Sequence, residues 1–242
     1  MKEKKFAAIV LSAGTGSRMR SDVPKQYMDL NGYPVIYYSL KAFQDSEVSS
    51  IILVTGKDDV EYCRTEIVKK YHLDKVHKVI PGGAERYNSV YEGLKAISEA
   101  DYVLIHDGAR PMLNQEILRR SMDAAAEYGA CVVGMPVKDT IKVSDENAFC
   151  KETPPRSSLW MIQTPQTFSY QLVKGAYECV LEAIENGEEV PQITDDAMMV
   201  EYATDTKVKL VQGDYRNIKI TTPEDLSVAS IYLKNKVFFR NT

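Results

Sequence analysis

Apolar residues fall into two kinds of run along this chain. Continuous Val/Ile/Leu-rich stretches occupy residues 6–11, 50–55, 75–80, 102–106 and 130–136, as expected of strands buried on both faces. Between them, apolar positions recur at helical spacing; Tyr87, Val90, Tyr91, Leu94 and Ile97 form one such stripe. This alternation predicts an α/β fold, a mostly parallel sheet with helices on both faces.

Two segments break the pattern. Residues 139–156 carry Pro154, Pro155, several charges and little periodicity, which predicts an extended excursion, a hairpin arm reaching out of the domain. Near the C-terminus, residues 208–211 and 217–221 read as short strands. Thr222-Pro223-Glu224-Asp225 then starts a helix: Thr222 can cap, Pro223 suits the first position and Asp225 completes a capping box. No repeat, linker or boundary divides the 242 residues, so one domain spanning 1–242 with an arm is the economical organisation.

Composition narrows the function classes. With 44% hydrophobic and 26% charged residues the chain can build a substantial core. A net charge of −4 provides no global field for polyanions, which argues against nucleic-acid binding. An anionic substrate would need a local cluster of cations. Cys63, Cys131, Cys150 and Cys179 are too scattered for a zinc pattern and read as thiols in a reducing compartment. The apolar run at 6–11 is too short to span a membrane and leads into a glycine loop, not a cleavage site, so it reads as the first strand of a cytoplasmic protein.

That loop is Ser12-Ala13-Gly14-Thr15-Gly16-Ser17-Arg18-Met19. Ligands of open α/β sheets bind at the carboxyl ends of strands, which is where it lies. Small residues such as Gly14 and Gly16 let backbone N–H groups approach a phosphate, although a tight turn would use the same residues. Met19 stands in place of a dinucleotide fingerprint's third glycine, and no Gly-Lys-Ser/Thr follows as in a P-loop. Arg18 and Lys25, the latter preceded by Pro24, flank the loop. Two such cations suit a triphosphate and the charge that builds at its reacting phosphorus.

A second group, His106-Asp107-Gly108-Ala109-Arg110-Pro111, follows the fourth strand. Asp107 is placed to hold Mg2+ on phosphate oxygens and Arg110 to clamp a phosphate; an Asp-Gly turn is the plain alternative. A third set comprises Asp139-Thr140, Arg156, Thr164-Pro165-Gln166, Thr194-Asp195-Asp196 and Asn217-Ile218-Lys219. These hydroxyls and cations are of the kind that hold a polyol phosphate. Taken singly each reads as a cap, turn or surface group, Thr194 as a helix N-cap.

No Ser–His–acid set, reactive cysteine or histidine-rich metal site stands out. That suits a reaction whose nucleophile is itself a phosphate. Its second pKa near ~6 leaves it largely dianionic at neutral pH. The protein then need only hold it in line with the α-phosphorus and neutralise the transition state.

The ordered motifs AAIVLSAGTGSRM, PKQY, GGAERYNSV, HDGARP, PVKDTIK, QTPQTF, ITDDA and NIKITTPEDL run from Ala7 to about Leu233. Together they resemble the 2-C-methyl-D-erythritol 4-phosphate cytidylyltransferases of the non-mevalonate isoprenoid pathway. The resemblance implies a Rossmann-like three-layer nucleotidyltransferase fold with a protruding β-arm, and Mg2+-dependent transfer of CMP from CTP to a small polyol phosphate. It would put Arg18, Lys25 and Lys219 around the triphosphate. Ser12, Ala13, Gly83 and Ser89 would meet the cytosine, with Gly14 and Gly16 in the same nucleotide bed and Gly108 against the ribose. Asp107 would lie near the metal and the substrate. Arg110, Thr140, Arg156, Thr164 and Thr194 would hold the methylerythritol phosphate. The resemblance further implies a homodimer in which the arm at about 139–156 crosses over and Arg156 serves the neighbouring site. Ala84 departs from the pattern: many members have an acidic residue there, and its contact to the base is lost.

Three rivals remain at this level. The ribitol 5-phosphate cytidylyltransferases share the glycine loop, the Pro-Lys-Gln motif, HDxxRP and QTPQ, although Arg156-Ser157-Ser158-Leu159-Trp160 and ITDDA favour the methylerythritol enzymes. A non-catalytic nucleotide sensor could use the same fold, but would not require Arg18, Lys25, Asp107 and Lys219 together. A Rossmann dehydrogenase lacks its third glycine here.

Overall fold

The computed structural model describes residues 4–14, Met19 and residues 23–238, with the side chains of 235–238 set aside. In chain order the strands and helices are β1 (Phe6–Ser12), β2 (Asp29–Leu30), β3 (Tyr33–Pro34), α1 (Val35–Gln44), β4 (Ser50–Thr55), α2 (Val60–Tyr62) with a π-helical continuation (Cys63–Lys69), β5 (Val76–Pro81), α3 (Arg86–Ala96), β6 (Tyr102–Asp107), α4 (Gln115–Tyr128), β7 (Ala130–Pro136), β8 (Val143–Ser144), β9 (Cys150–Glu152), β10 (Trp160–Ser169), α5 (Tyr170–Glu185), α6 (Asp196–Ala203), β11 (Lys209–Gln212) and α7 (Pro223–Phe238).

Seven strands form the central sheet in the order β11-β7-β10-β6-β1-β4-β5. β1 pairs in parallel with β4 and β6, β4 with β5, and β7 with β11, whereas β10 runs antiparallel between β6 and β7. Successive strand residues point to opposite faces, and each face has its own core. Ala8, Val10, Leu53 and Leu104 pack with Ile36, Leu40 and Phe43 of α1 and Ile117 and Leu118 of α4. Ala7, Ile9, Val54 and Ile105 pack with Val90 and Leu94 of α3, Val173 and Tyr177 of α5 and Met199 of α6. Both faces are covered, which is why these strands read as unbroken apolar runs.

Local chemistry sets the helix ends. Asn114 Oδ1 accepts from Ile117 N at 2.9 Å to open α4, and Gly129, at φ 82°, closes it with its N–H on Ala125 O. The α6 cap is Asp195, whose Oδ1 accepts from Met198 N at 3.0 Å. Thr194, the expected cap, instead donates to Met198 Sδ. Asp225 Oδ2 accepts from Thr222 N at 2.9 Å, the reciprocal half of the expected capping box.

Two readings of the sequence need correction. β10 was not expected as a strand; Pro165 has no N–H to give, and pairing with β7 shifts register between Ile162 and Gln166, around the Thr164–Pro165 bond, which is cis. Residues 217–221 are not a strand: they are anchored by the Asn217 side chain and by Ile220 N donating to Ala109 O at 2.9 Å. Residues 139–156 do contain a hairpin, β8 with β9, separate from the main sheet and exposed along its strands. The four cysteines are free thiols. Among the described residues no helix is long and apolar enough to cross a membrane.

Candidate active site

The parallel register ends β1 at Ser12, β5 at Pro81 and β6 at Asp107 on one edge of the sheet. A cleft of about 250 Å³ opens there, lined by Ser12, Ala13 and Gly14, by Gly83–Arg86 and Ser89, by Lys25 and Gln26, and by Asp107, Ala109 and Lys219.

Its backbone bed is built by close approach. Gln26, buried, donates Nε2 to Ser12 O at 2.8 Å and Gly14 O at 3.2 Å, tying the PKQY segment to the glycine loop. A Cβ on Gly82 would come within 2.6 Å of Ser89 Oγ and 2.8 Å of Ala13 Cβ, so α3 starts directly against that loop. Gly83 N donates to Ser89 Oγ at 3.1 Å. Gly108 is equally confined: a Cβ would strike Ile36 Cδ1 and lie 2.9 Å from Leu11 O, so a side chain here would have to displace Ile36 and ease the turn after β6. Ser12 Oγ is buried without a hydrogen-bond partner among the described residues.

Asp107 is the electrostatic centre. Lys219 Nζ lies 2.8 Å from Oδ2, Arg86 Nε 3.4 Å from Oδ1 and Arg110 Nε 3.8 Å from Oδ2. Burial opposes its charge, but Arg86, Lys219 and Arg110 together hold its carboxyl well below the usual carboxylate range. The cleft thus presents a carboxylate held in its ionised form among an excess of cations, a setting suited to phosphate chemistry.

Behind Asp107 the strand end is pinned. Thr164 Oγ1 accepts from Asp107 N at 3.1 Å and lies 3.0 Å from His106 Nδ1. His106 is wholly buried beside Phe43, and desolvation lowers its pKa to about 3, so it is neutral. Asn217 Nδ2 donates to Thr164 O at 3.0 Å, and the main-chain carbonyl of Asn217 accepts from Arg110 Nη1 at 2.8 Å. The neighbouring segment delivers Lys219 to Asp107.

Of the residues singled out in the sequence, the structure gathers Ser12, Ala13, Gly14, Lys25, Gly83, Ser89, Asp107 and Lys219 at the cleft. Gly108, Arg110 and Thr164 adjoin them, held inside the fold. Arg18 and Gly16 lie outside the described residues. Thr140, Arg156 and Thr194 are exposed and do not line this cleft; Arg156 donates to Lys138 O at 2.8 Å at the root of the arm.

Sequence reasoning gave no role to Arg86, Gln26 or Asp196. Arg86 grips Asp196 with two 2.8 Å bonds, and Tyr177 donates to the same carboxylate at 2.6 Å. The available signal was an arginine three residues after a glycine pair, at a helix start, and a paired Asp195-Asp196 after a hydroxyl.

The 2-C-methyl-D-erythritol 4-phosphate cytidylyltransferase family model (IspD) matches residues 6–235. A protein of that name from Lachnospira eligens is 53% identical over 228 residues, covering 94% of this chain and 98% of the relative. Its namesake from Lachnoclostridium phytofermentans is 47% identical over 231 residues, covering 96% and 97%. The crystal structure of 4-diphosphocytidyl-2C-methyl-D-erythritol synthase from Anaerococcus prevotii superposes with a TM-score of 0.82 at 34% identity, covering 96% of each chain. The Thermus thermophilus cytidylyltransferase follows at 0.73 and 29%, covering 93% and 98%. With its sheet, cleft and cation cluster in place, the chain belongs to the 2-C-methyl-D-erythritol 4-phosphate cytidylyltransferase family.

Proposed function

We propose that this chain transfers CMP from CTP to 2-C-methyl-D-erythritol 4-phosphate, giving 4-diphosphocytidyl-2-C-methyl-D-erythritol and pyrophosphate. The observation that carries this reading is Asp107 within reach of Lys219, Arg86 and Arg110 beside a glycine bed, in a chain whose family is named for that reaction. An acceptor phosphate oxygen attacks the α-phosphorus. The new P–O bond forms as the bond to the β-phosphate's bridging oxygen breaks, and pyrophosphate leaves with the electron pair. The acceptor is largely dianionic above ~6 and needs no protein base.

In this reading Ser12, Ala13, Gly14, Gly16, Gly83 and Ser89 seat the cytidine, and Gly108 backs the ribose. Arg18, Lys25 and Lys219 offset charge on the phosphates. Arg110, Thr164 and Thr194 take the acceptor, with Thr140 and Arg156, both on the arm, supplied by a second copy. A homodimer is supported by Ile141, Val143 and Phe149, which leave 40%, 42% and 72% of their surface exposed on or beside the hairpin.

Among the described residues no three His, Cys, Asp or Glu side chains gather. Mg2+ nevertheless takes one or two carboxylates plus substrate phosphates, and Asp107 fits that pattern. When bound, the ion would neutralise triphosphate charge.

The site assignment is tested by Lys25→Ala. Turnover should fall by about 10²-fold or more, as for other lost transition-state donors, while the thermal melt stays cooperative. Near-normal turnover would remove Lys25 from the mechanism.

A further inference from the structure

Arg86 occupies the first turn of α3, next to the glycine pair that borders the cleft, and its guanidinium reaches carboxylates from two distant parts of the chain. Nη1 and Nη2 donate to the two oxygens of Asp196 at 2.8 Å each, fork on fork. Nε lies 3.4 Å from Asp107 Oδ1. Asp196 itself is 0% exposed. Its N–H and that of Ala197 each donate to Gln166 Oε1 at 2.9 Å, while Gln166 Nε2 donates to Asp195 Oδ2 at 2.9 Å. The start of α6 is therefore held from two sides, by Gln166 on β10 and by Arg86.

A buried ion pair is not in itself a good stabiliser, since well-packed apolar residues serve stability as well or better. This pair also opens onto the cleft: the Arg86 side chain is 31% exposed there while Asp196 is sealed. Its distinctive product is geometric. It links Asp107, in the transfer centre, to the turn that carries Thr194 one residue outside the held helix start.

We propose that Arg86 is a positioning residue that, by gripping Asp196 while touching Asp107, fixes the acceptor-side turn at 194–196 relative to the transfer centre. The inference rests on the function proposed above. Loss of the pair would loosen that turn and misplace the acceptor, leaving the bed for CTP intact. Misplacement of a reactant by about 1 Å is enough to cost ~10²-fold in rate.

The test uses Arg86→Gln, Arg86→Lys, Asp196→Asn and the double variant Arg86→Gln/Asp196→Asn. Each single variant should lose about ten- to a hundred-fold in kcat/KM for methylerythritol phosphate. Calorimetric Kd for CTP should stay within about two-fold in Asp196→Asn, because Asp196 is sealed away from the cleft and every cleft-lining side chain is kept. Lysine cannot make the bidentate grip and should rescue little. The double variant should be no worse than the poorer single, since the two residues act as one unit. Without any ligand, hydrogen exchange across residues 194–199 should quicken in every single variant.

The proposal is overturned if CTP affinity in Asp196→Asn falls as far as its acceptor kcat/KM, if the losses multiply in the double variant, or if exchange at 194–199 is unchanged. Should a single variant fail to fold, the double variant, which buries no lone charge, carries the exchange measurement, and exchange at 194–199 should quicken in it as well. Exchange needs no substrate, so an inactive wild type would sink the proposed function while the positioning is still decided.

Discussion

His106 and Asp107 are neighbours at one strand end with opposite charge states. His106 is kept neutral by burial, its pKa lowered from 6.5 to about 3; Asp107 is kept charged by three cations. In the interval between the two His106 values the unfolded chain binds a proton that the folded chain refuses, so stability falls as pH drops below 6.5. By about pH 5 that amounts to about 2 kcal/mol. Asp107 adds to the loss at lower pH: its depressed carboxyl contributes stability above the ordinary value of 3.8, which is lost as pH falls below it. Urea midpoints measured from pH 7 down to about pH 5 should therefore decline in the wild type and much less in His106→Asn. An equal decline in both would assign the effect to another group. Lys219 makes the closest of the three contacts to Asp107, and Lys219→Gln should lower kcat/KM by about 10²-fold or more. A loss under about three-fold would exclude it from the transfer step.

Elements were legible where burial is uniform. The five main strands were read to within a residue or so. β1, β4, β6 and β7 are buried along nearly their whole length and so read as apolar runs. The edge strand β5 was marked only by Val76, Val79 and Ile80 around exposed His77 and Lys78. β10 was hidden because its inward polar groups are satisfied by partners far away in sequence: Gln166 by the α6 start and Thr164 by His106 and Asp107. Residues 217–221 looked like a strand by composition, yet their fixed points are side-chain bonds from Asn217. The same long-range satisfaction hid Arg86 and Gln26, whereas the glycine loop and HDGARP were local and could be read directly. Packing between elements gives a test of its own at Gly93. Alanine there gains about 1 kcal/mol of helix propensity. Its Cβ, however, would lie 2.7 Å from Cγ2 of Ile9, which is 0% exposed and has no room to retreat. Overpacking of this kind costs about 1–3 kcal/mol, so Gly93→Ala should lower the urea midpoint by about 1 kcal/mol equivalent. A stabilised variant would mean that α3 and β1 pack less closely than described.

At the scale of the molecule, a chain of net charge −4 concentrates Lys25, Arg86, Arg110 and Lys219 at one sheet edge. The proposed anion site is thus a local construction, as the composition required. The hairpin is the other large-scale feature, and the proposed dimer predicts that Val143→Ser with Phe149→Ser yields monomers by light scattering and depresses turnover, because Arg156 would no longer reach a neighbouring site. A monomeric wild type would overturn that part of the account. The central claim is the identity of the reaction. Its most direct measurement is pyrophosphate release from CTP and Mg2+ by the purified wild-type protein, with 2-C-methyl-D-erythritol 4-phosphate and ribitol 5-phosphate offered in parallel. The account predicts release with the methylerythritol phosphate alone; release only with ribitol phosphate, or with neither in a folded sample that binds CTP, would contradict it.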